Sequence, residues 1–232
     1  MKAGIIAAGL GERFRSAGIA TPKPLVRVGG KTLLGRAIES AAAAGAEAVA
    51  LIVNAESPEV ARYVRAERWA VPVELTVKTT PSSMESFLAL EPQLRDSPFL
   101  LTTVDAITAK GTLAALAHAG LAAGPTGTLA VTTFVDDEKP LCVRLGAEAK
   151  IVALGAEAAG SGLVTSGAYF FFPVVYDHVG EARRRGLAAL REFLGLLVEE
   201  GAPLYGFRAG DSVDVDRPED VAVAEQFLKV NG

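Results

Sequence analysis

At 232 residues, half of them hydrophobic, the chain is long enough for one sizeable α/β core and too apolar to be a disordered segment. Its formal net charge of −4 argues against nucleic acid as a partner, which calls for a basic footprint. A single cysteine, Cys142, excludes an internal disulfide framework and is compatible with a cytoplasmic protein. Cys142 sits in the strand-like Leu141-Cys142-Val143 and reads as a packing residue.

Taken in order, residues 1–10 carry an early lysine and a short apolar run. The run ends in Gly11-Glu12-Arg13 without a small-residue cleavage pattern, so 2–8 reads as a first strand and not as a leader. Residues 32–44 read as a helix, because Leu33, Leu34, Ala37, Ile38 and Ala41 recur at helical spacing and Gly45 is a natural stop. A strand at 47–53, a helix at 58–68 and a strand at 73–78 follow. Then come a helix at 83–94 with Pro92 near its end, a strand at 98–104 ending at Asp105, and a helix at 108–122. Strands alternating with helices predict parallel βαβ units with both sheet faces covered. Residues 111–135 contain no Asp, Glu, Lys or Arg, yet Gly124-Pro125-Thr126-Gly127 divides them into helix, turn and strand, so no membrane span is expected.

After residue 125 the pattern changes to shorter strands at 128–135, 141–145, 150–154 and 162–172. A helix at 187–200, a strand at 204–207 and a closing helix at 218–229 complete the chain. The expected fold is α/β: a single Rossmann-like mixed sheet flanked by helices, with a small antiparallel part in the second half. No linker, repeat or low-complexity tract interrupts residues 1–232. Trp69 and Phe170-Phe171-Phe172 read as core, and Arg183-Arg184-Arg185 as a solvated helix entry. His118, His178 and Cys142 are too scattered in sequence to suggest a zinc site.

The chemistry concentrates in residues 4–34. An apolar run, Gly4 to Ala8, delivers the bend Gly9-Leu10-Gly11, followed by Arg13, Arg15 and Pro22-Lys23-Pro24-Leu25. Glycines let backbone N–H groups approach a ligand, successive N–H groups make a concave anion site, and the cations add fixed charge for phosphate oxygens. Spacing separates three phosphate motifs. The dinucleotide fingerprint fails at Phe14, where its third glycine belongs, and Pro22 and Pro24 interrupt the helix it needs. The P-loop fails at Leu25, where its first glycine belongs, although Gly30-Lys31-Thr32 supplies its end. The third motif fits. Ala7-Ala8-Gly9-Leu10-Gly11-Glu12-Arg13, then Pro22-Lys23-Pro24-Leu25, then Val28-x-Gly30-x-x-Leu33-Leu34 resembles the A-A-G-x-G-x-R…P-K-x-L…G-x-x-L signature of the sugar-phosphate and related nucleotidyltransferases.

Two acidic segments stand apart from that stretch. Asp105 follows the apolar run 99–104, at a strand's carboxyl end, where open α/β sheets bind ligands. A carboxylate there suits Mg²⁺, which prefers oxygen ligands, or it caps a turn or helix. In Asp214-Val215-Asp216-Arg217-Pro218-Glu219-Asp220 the first two acids alternate and share one side of an extended segment. Asp216 is near enough to the closing helix to cap it, which leaves Asp214 freer for metal.

The resemblance implies more. It implies a nucleotide-diphospho-sugar transferase type of fold, with 1–125 as the nucleotide-binding half and 126–232 as the acceptor-binding half. It implies a metal-binding acid at Asp105 and a second at Asp214, the first acid of the closing D-x-[GDN]-x-P-E-D element, with Asp216 the alternative. Arg13 suits the triphosphate and the departing pyrophosphate, and Lys23 the α-phosphate or the acceptor phosphate. Ala7, Ala8, Gly9, Leu10 and Gly11 are expected at the nucleotide. So are Ser82 and Ser83, which replace the family's glycine-rich P-x-G-T-A turn, unless Ser82 caps the next helix. Ser166-Gly167-Ala168-Tyr169 resembles the N-A-G-x-Y acceptor element, with Ser166 in place of Asn.

The expected activity is Mg²⁺-dependent transfer of a nucleoside monophosphate from an NTP to a phosphorylated small molecule, a sugar 1-phosphate first, with pyrophosphate released. The expected partners are the NTP and that acceptor, with no nucleic acid and no membrane; homo-oligomer formation is left open. A nucleotide-binding sensor on the same fold is the rival from another class. A glycosyltransferase is a third reading, against which the C-terminal position of Asp214-Val215-Asp216 counts.

Overall fold

The structure, a computed structural model, describes residues 1–133 and 140–232. Its elements begin with β1 (Lys2–Ala7), α1 (Glu12–Ser16), β2 (Arg27–Val28), β3 (Lys31–Thr32), α2 (Leu33–Ala43) and β4 (Val49–Val53). Next come α3 (Pro58–Ala66), β5 (Val73–Val77), α4 (Ser83–Ala89), α5 (Glu91–Leu94), β6 (Phe99–Thr103), β7 (Ala106–Thr108) and α6 (Thr112–Ala123). The second half holds β8 (Gly127–Thr132), β9 (Val143–Leu145), β10 (Ile151–Leu154), β11 (Val164–Phe171), α7 (Val179–Arg184) and α8 (Leu190–Glu199). It closes with β12 (Leu204–Arg208), β13 (Ser212–Asp214) and α9 (Asp220–Asn231).

Among the described residues, seven strands form one sheet in the order β12-β8-β11-β6-β1-β4-β5. β6, β1, β4 and β5 are mutually parallel, β11 runs antiparallel to both its neighbours, and β12 is parallel to β8. The mixed α/β sheet expected from the sequence is therefore the fold, and its antiparallel elements lie in the second half, where β9 and β10 also pair antiparallel.

Alternation along the strands divides the core. Ile5 and Leu100 face one layer with Leu34 and Ile38 of α2 and Leu113 and Leu116 of α6. Ile6 and Leu101 face the other, with Phe87 of α4 and Phe193 and Leu197 of α8. Successive side chains of a strand point to opposite faces, so continuous apolar runs such as 49–53 are what a sheet covered on both sides demands.

Several elements differ from the sequence expectation, each for a local reason. The helix expected at 83–94 divides into α4 and α5, because Pro92 occupies the first turn of a new helix. The helix expected from 108 starts at Thr112, since Gly111 takes a left-handed φ of 83° and residues 106–108 are drawn into a ladder with β13. α8 starts at Leu190, where the Glu192 carboxylate accepts from the N–H groups of Ala188 and Ala189. α1, a short helix directly after the glycine bend, is an addition to the elements expected from the sequence. Arg183 and Arg184 end a helix, α7, and pair with acids only in part: Glu181 accepts from Arg184 and Arg185. The strand expected at 128–135 is β8 as far as Thr132, and its last two residues lie outside the described residues.

α6 packs against β11 with no side chain at Gly120. A Cβ there would sit 2.2 Å from Cδ1 of Phe170, a fully buried ring. Gly120→Ala is expected to destabilise the protein by about 1–3 kcal/mol, against the up to about 1 kcal/mol that alanine brings to a helix interior. Urea unfolding of the two proteins checks this.

Candidate active site

β1, β4, β5 and β6 all end at one edge of the sheet. The chain leaves β1 towards β4 and β5 on one side and returns to β6 on the other, which opens a crevice at the carboxyl ends. A cleft of about 530 Å³ lies there, walled by the glycine bend, Lys23, Asn54, residues 79–83, Asp105 and Asp216.

The bend grows out of Ala7 and Ala8, both buried. Gly9 has no heavy atom within 4 Å of where a Cβ would stand, so its backbone is open to the cleft. Gly11 has φ of 63°, and a Cβ on it would lie 3.0 Å from Cβ of Lys23. Glycine is thus required twice at position 11, for the left-handed turn and for the close seat of the lysine stem. Lys23 itself opens a 3₁₀ turn, Lys23–Leu25, set between Pro22 and Pro24, with the Leu25 N–H donating to the Pro22 carbonyl.

From that seat the Lys23 ammonium donates to Asp105 Oδ2 at 2.6 Å and to Asp216 Oδ1 at 2.5 Å. Arg13 Nη1 donates to Asp216 Oδ2 at 3.0 Å. The Lys23 side chain is 11% exposed and that of Asp105 23%, so the pair works in a partly dehydrated setting where charge interactions are strong. Burial opposes the Lys23 charge, but Asp105 and Asp216 outweigh it and raise the ammonium pKa above its ordinary value. Burial likewise opposes ionisation of Asp105, and Lys23 outweighs it and holds the carboxyl below the usual range.

Asp216 is not the cap of the closing helix. No side-chain hydrogen bond caps α9 among the described residues; Asp220 Oδ2 accepts from the N–H groups of Asp216 and Arg217, ahead of the helix, and the Asp216 carboxylate faces Lys23 and Arg13. Asp214 lies on β13 opposite Ala106 of β7, one ladder step from Asp105, whose carbonyl accepts from the Val215 N–H at 3.1 Å. The Asp214 carboxylate points towards the acceptor element proposed from the sequence. A Cβ on Gly167, whose φ is 71°, would lie 3.9 Å from Asp214 Oδ1 and 3.1 Å from Ala106 Cβ. Ser166 and Gly167 fall where the pairing of β11 with β8 shifts register. The Ser166 hydroxyl is buried there without a hydrogen-bond partner among the described residues. Burial pushes the nearby Tyr169 phenol up to about 12.

Ser82 and Ser83 line the cleft, but their hydroxyls have other partners. Ser82 Oγ accepts from the Glu85 N–H as the cap of α4, and Ser83 Oγ accepts from the Leu190 N–H of α8. Asn54, absent from the sequence reading, ties this wall together. Buried at the end of β4, it donates from Nδ2 to the Ala8 carbonyl, while its Oδ1 accepts from the Glu56 N–H and the Thr79 hydroxyl. The signal was present: Asn54 follows an apolar strand just as Asp105 does.

A crevice of this kind, with a glycine bend, two cations and two carboxylates, belongs to nucleotide-handling α/β proteins of the doubly wound class. Residues 3–169 match the MobA-like NTP transferase domain, and the chain belongs to that family. It is 29% identical over 237 residues to a mannose-1-phosphate guanyltransferase of Neurospora crassa, covering 95% of this chain and 62% of that protein. The chain therefore spans less than two thirds of that relative. It is 26% identical over 236 residues to a UTP–glucose-1-phosphate uridylyltransferase of Haloferax volcanii, covering 99% and 97% of the two chains. The structure of the inositol-1-phosphate CTP transferase from T. maritima shares the fold, with a TM-score of 0.82, 21% identity, and coverage of 98% of this chain and 95% of that one. No helix among the described residues is long and apolar enough to cross a membrane.

Two outcomes follow. The carboxylate of Asp105 contributes stability fully above its ordinary pKa of 3.8, and this is lost as pH falls through its lower folded value. Asp105→Asn is expected to cost about 1–3 kcal/mol at pH 6 and less at pH 3, read from urea midpoints. Asn54→Ala leaves the Thr79 and Glu56 donors unpaired and is expected to cost about 1–3 kcal/mol, with nucleotide affinity lowered in a binding titration.

Proposed function

We propose that the chain is a Mg²⁺-dependent nucleotidyltransferase that moves a nucleoside monophosphate from an NTP to a sugar 1-phosphate, releasing pyrophosphate. The observation that carries this reading is the meeting of Arg13 and Lys23 with Asp105 and Asp216 at the mouth of the crevice. Cations and carboxylates converging beside a glycine bend suit a reaction whose demands are phosphate positioning and charge neutralisation. The relatives' names supply the acceptor class: their phosphorylated substrates are mannose 1-phosphate, glucose 1-phosphate and inositol 1-phosphate.

The donor set fits the metal. Asp105 Oδ2 and Asp216 Oδ1 both contact one ammonium, so they lie no more than about 5 Å apart and converge on one point. Mg²⁺ takes one or two carboxylates and completes its octahedron with waters and substrate phosphates. Consistent with that habit, the described residues contain no ready-made cluster of three metal-binding side chains. Asp105 would hold the ion together with Asp216, and Asp214 would serve the acceptor side, beside Gly167. When bound, the ion polarises the phosphoryl oxygens and neutralises developing charge.

The chain's own groups do the rest. The backbone of Gly9 to Gly11 receives the polyphosphate, and Arg13 stabilises the departing pyrophosphate. Lys23 stabilises the α-phosphate as an acceptor phosphate oxygen attacks in line and the bond to the β-phosphate's bridging oxygen breaks. No protein nucleophile is required. Ala7, Ala8, Asn54 and the turn at 79–83 enclose the nucleoside, and Ser166 and Gly167 face the acceptor. The Ser166 hydroxyl, buried and without a hydrogen-bond partner among the described residues, is an available donor for an acceptor hydroxyl. In this arrangement the first half of the chain binds nucleotide and the second half binds acceptor.

Pyrophosphate release across the four NTPs and a panel of phosphorylated sugars and alcohols tests the reading. Wild type is expected to turn over one NTP–acceptor combination, and Asp105→Ala to lose at least about a hundredfold in kcat/KM. Binding of NTP with no turnover on any acceptor would favour the sensor. Asp216→Asn is expected to lose Mn²⁺ affinity in the presence of nucleotide and Asp214→Asn to retain it; the reverse would make Asp214 the second ligand.

A further inference from the structure

The two groups read as phosphate-binding cations are engaged with the two groups read as metal ligands. Lys23 Nζ contacts both Asp105 and Asp216, and Arg13 holds the second oxygen of Asp216. Within this quartet two positive charges face two negative ones, with Asp214 one ladder step further away. A dication approaching the free protein meets a lysine ammonium at the point on which the carboxylates converge. The ammonium and a divalent ion cannot share that point without strong like-charge repulsion.

We propose that Lys23 is a two-position residue that makes metal binding depend on nucleotide binding: its ammonium occupies the carboxylates in the free protein and is drawn to the phosphates when nucleotide arrives. This rests on the functional reading above and concerns how the same site is loaded. The geometry supports a swing of the side chain alone. Pro22 and Pro24 flank the residue, and its Cβ is seated beneath Gly11. The backbone is thereby fixed, while the four-carbon stem above it keeps its rotatable bonds. The glycine bend, where a polyphosphate would lie, is in direct contact with that stem. A polyphosphate supplies the anionic charge that replaces the carboxylates around Lys23 and Arg13, and so frees Asp105 and Asp216 for the ion. Coupling of this kind is reciprocal, so the ion must tighten nucleotide by the factor by which nucleotide tightens the ion.

The test is Mn²⁺ binding, followed by the paramagnetic resonance signal of the free ion. Wild type is compared with Lys23→Met, which keeps the stem beneath Gly11, and with Lys23→Gln as a second variant of different packing. Circular dichroism and melting establish that each variant is folded. Without nucleotide, wild type is expected to bind Mn²⁺ weakly and the folded variants about tenfold or more tightly, because the competing charge is gone. Calorimetry with the α,β-methylene analogues of the four NTPs, with and without Mn²⁺, is expected to show a smaller mutual enhancement in the variants than in wild type. Equal or weaker Mn²⁺ binding by both variants without nucleotide would overturn the inference and leave the functional reading intact. Failure of wild type to bind any Mn²⁺–analogue complex would overturn the functional reading itself.

Discussion

The Lys23 ammonium, held between Asp105 and Asp216, is the interaction on which the site depends. Its partners are 82 and 193 residues away in sequence, and Arg13 reaches across 203 residues to the same Asp216. The glycine bend after β1, the 3₁₀ turn, the end of β6 and the segment after β13 are therefore fixed to one another by charge. Lys23 is the shared partner: removing it takes the ammonium from the partly buried Asp105 carboxylate, whereas Asp216 keeps Arg13. Gly11 belongs to the same constraint, because only a residue without a side chain lets the bend close over the lysine stem.

The sheet explains why this convergence happens where it does. β4 and β5 lie to one side of β1 and β6 to the other, so the ends of all these strands open onto a common crevice. β11 then enters antiparallel beside β6 and brings Ser166 and Gly167 to the same edge. β13 pairs with β7 just beyond Asp105, which carries Asp214 and Asp216 back from the far end of the chain. One wall of the crevice is polar, with Thr79 donating to Asn54 and Ser82 accepting from the Glu85 N–H. The other is built from the charged quartet. A nucleoside with a polyphosphate tail matches that division of chemistry.

What could be read from the sequence was whatever depends on neighbours in the chain. The alternation of strands and helices, the glycine bend and the position of Asp105 after an apolar strand are all local patterns, and the structure reproduces them. The sugar-phosphate nucleotidyltransferase resemblance rested on such a pattern, and the MobA-like family match agrees with it. What escaped was set by distant partners. That Asp216 faces Lys23 and does not cap the last helix is set by its distant cations, Lys23 and Arg13, while Asp220 takes the N–H groups of Asp216 and Arg217 ahead of the helix. The short strand at 106–108 exists only because β13 pairs with it, and nothing in its own sequence calls for a break before Gly111. Ser83 lines the cleft, but the Leu190 N–H that α8 gives its hydroxyl comes from 107 residues away and is invisible in the local sequence. Asn54 was overlooked although it stands in the same local context as Asp105.

The most direct test of nucleotidyl transfer is the fate of two labels in one reaction, with NTP carrying ³²P at the α-phosphate in one sample and at the γ-phosphate in another. The charged quartet beside the glycine bend predicts that the α label appears in the joined product, while the γ label leaves in pyrophosphate. A γ label that reaches the acceptor or leaves as inorganic phosphate would contradict the reading, because bond breaking would then lie at the γ-phosphate and not at the α-phosphate, where Lys23 is proposed to act.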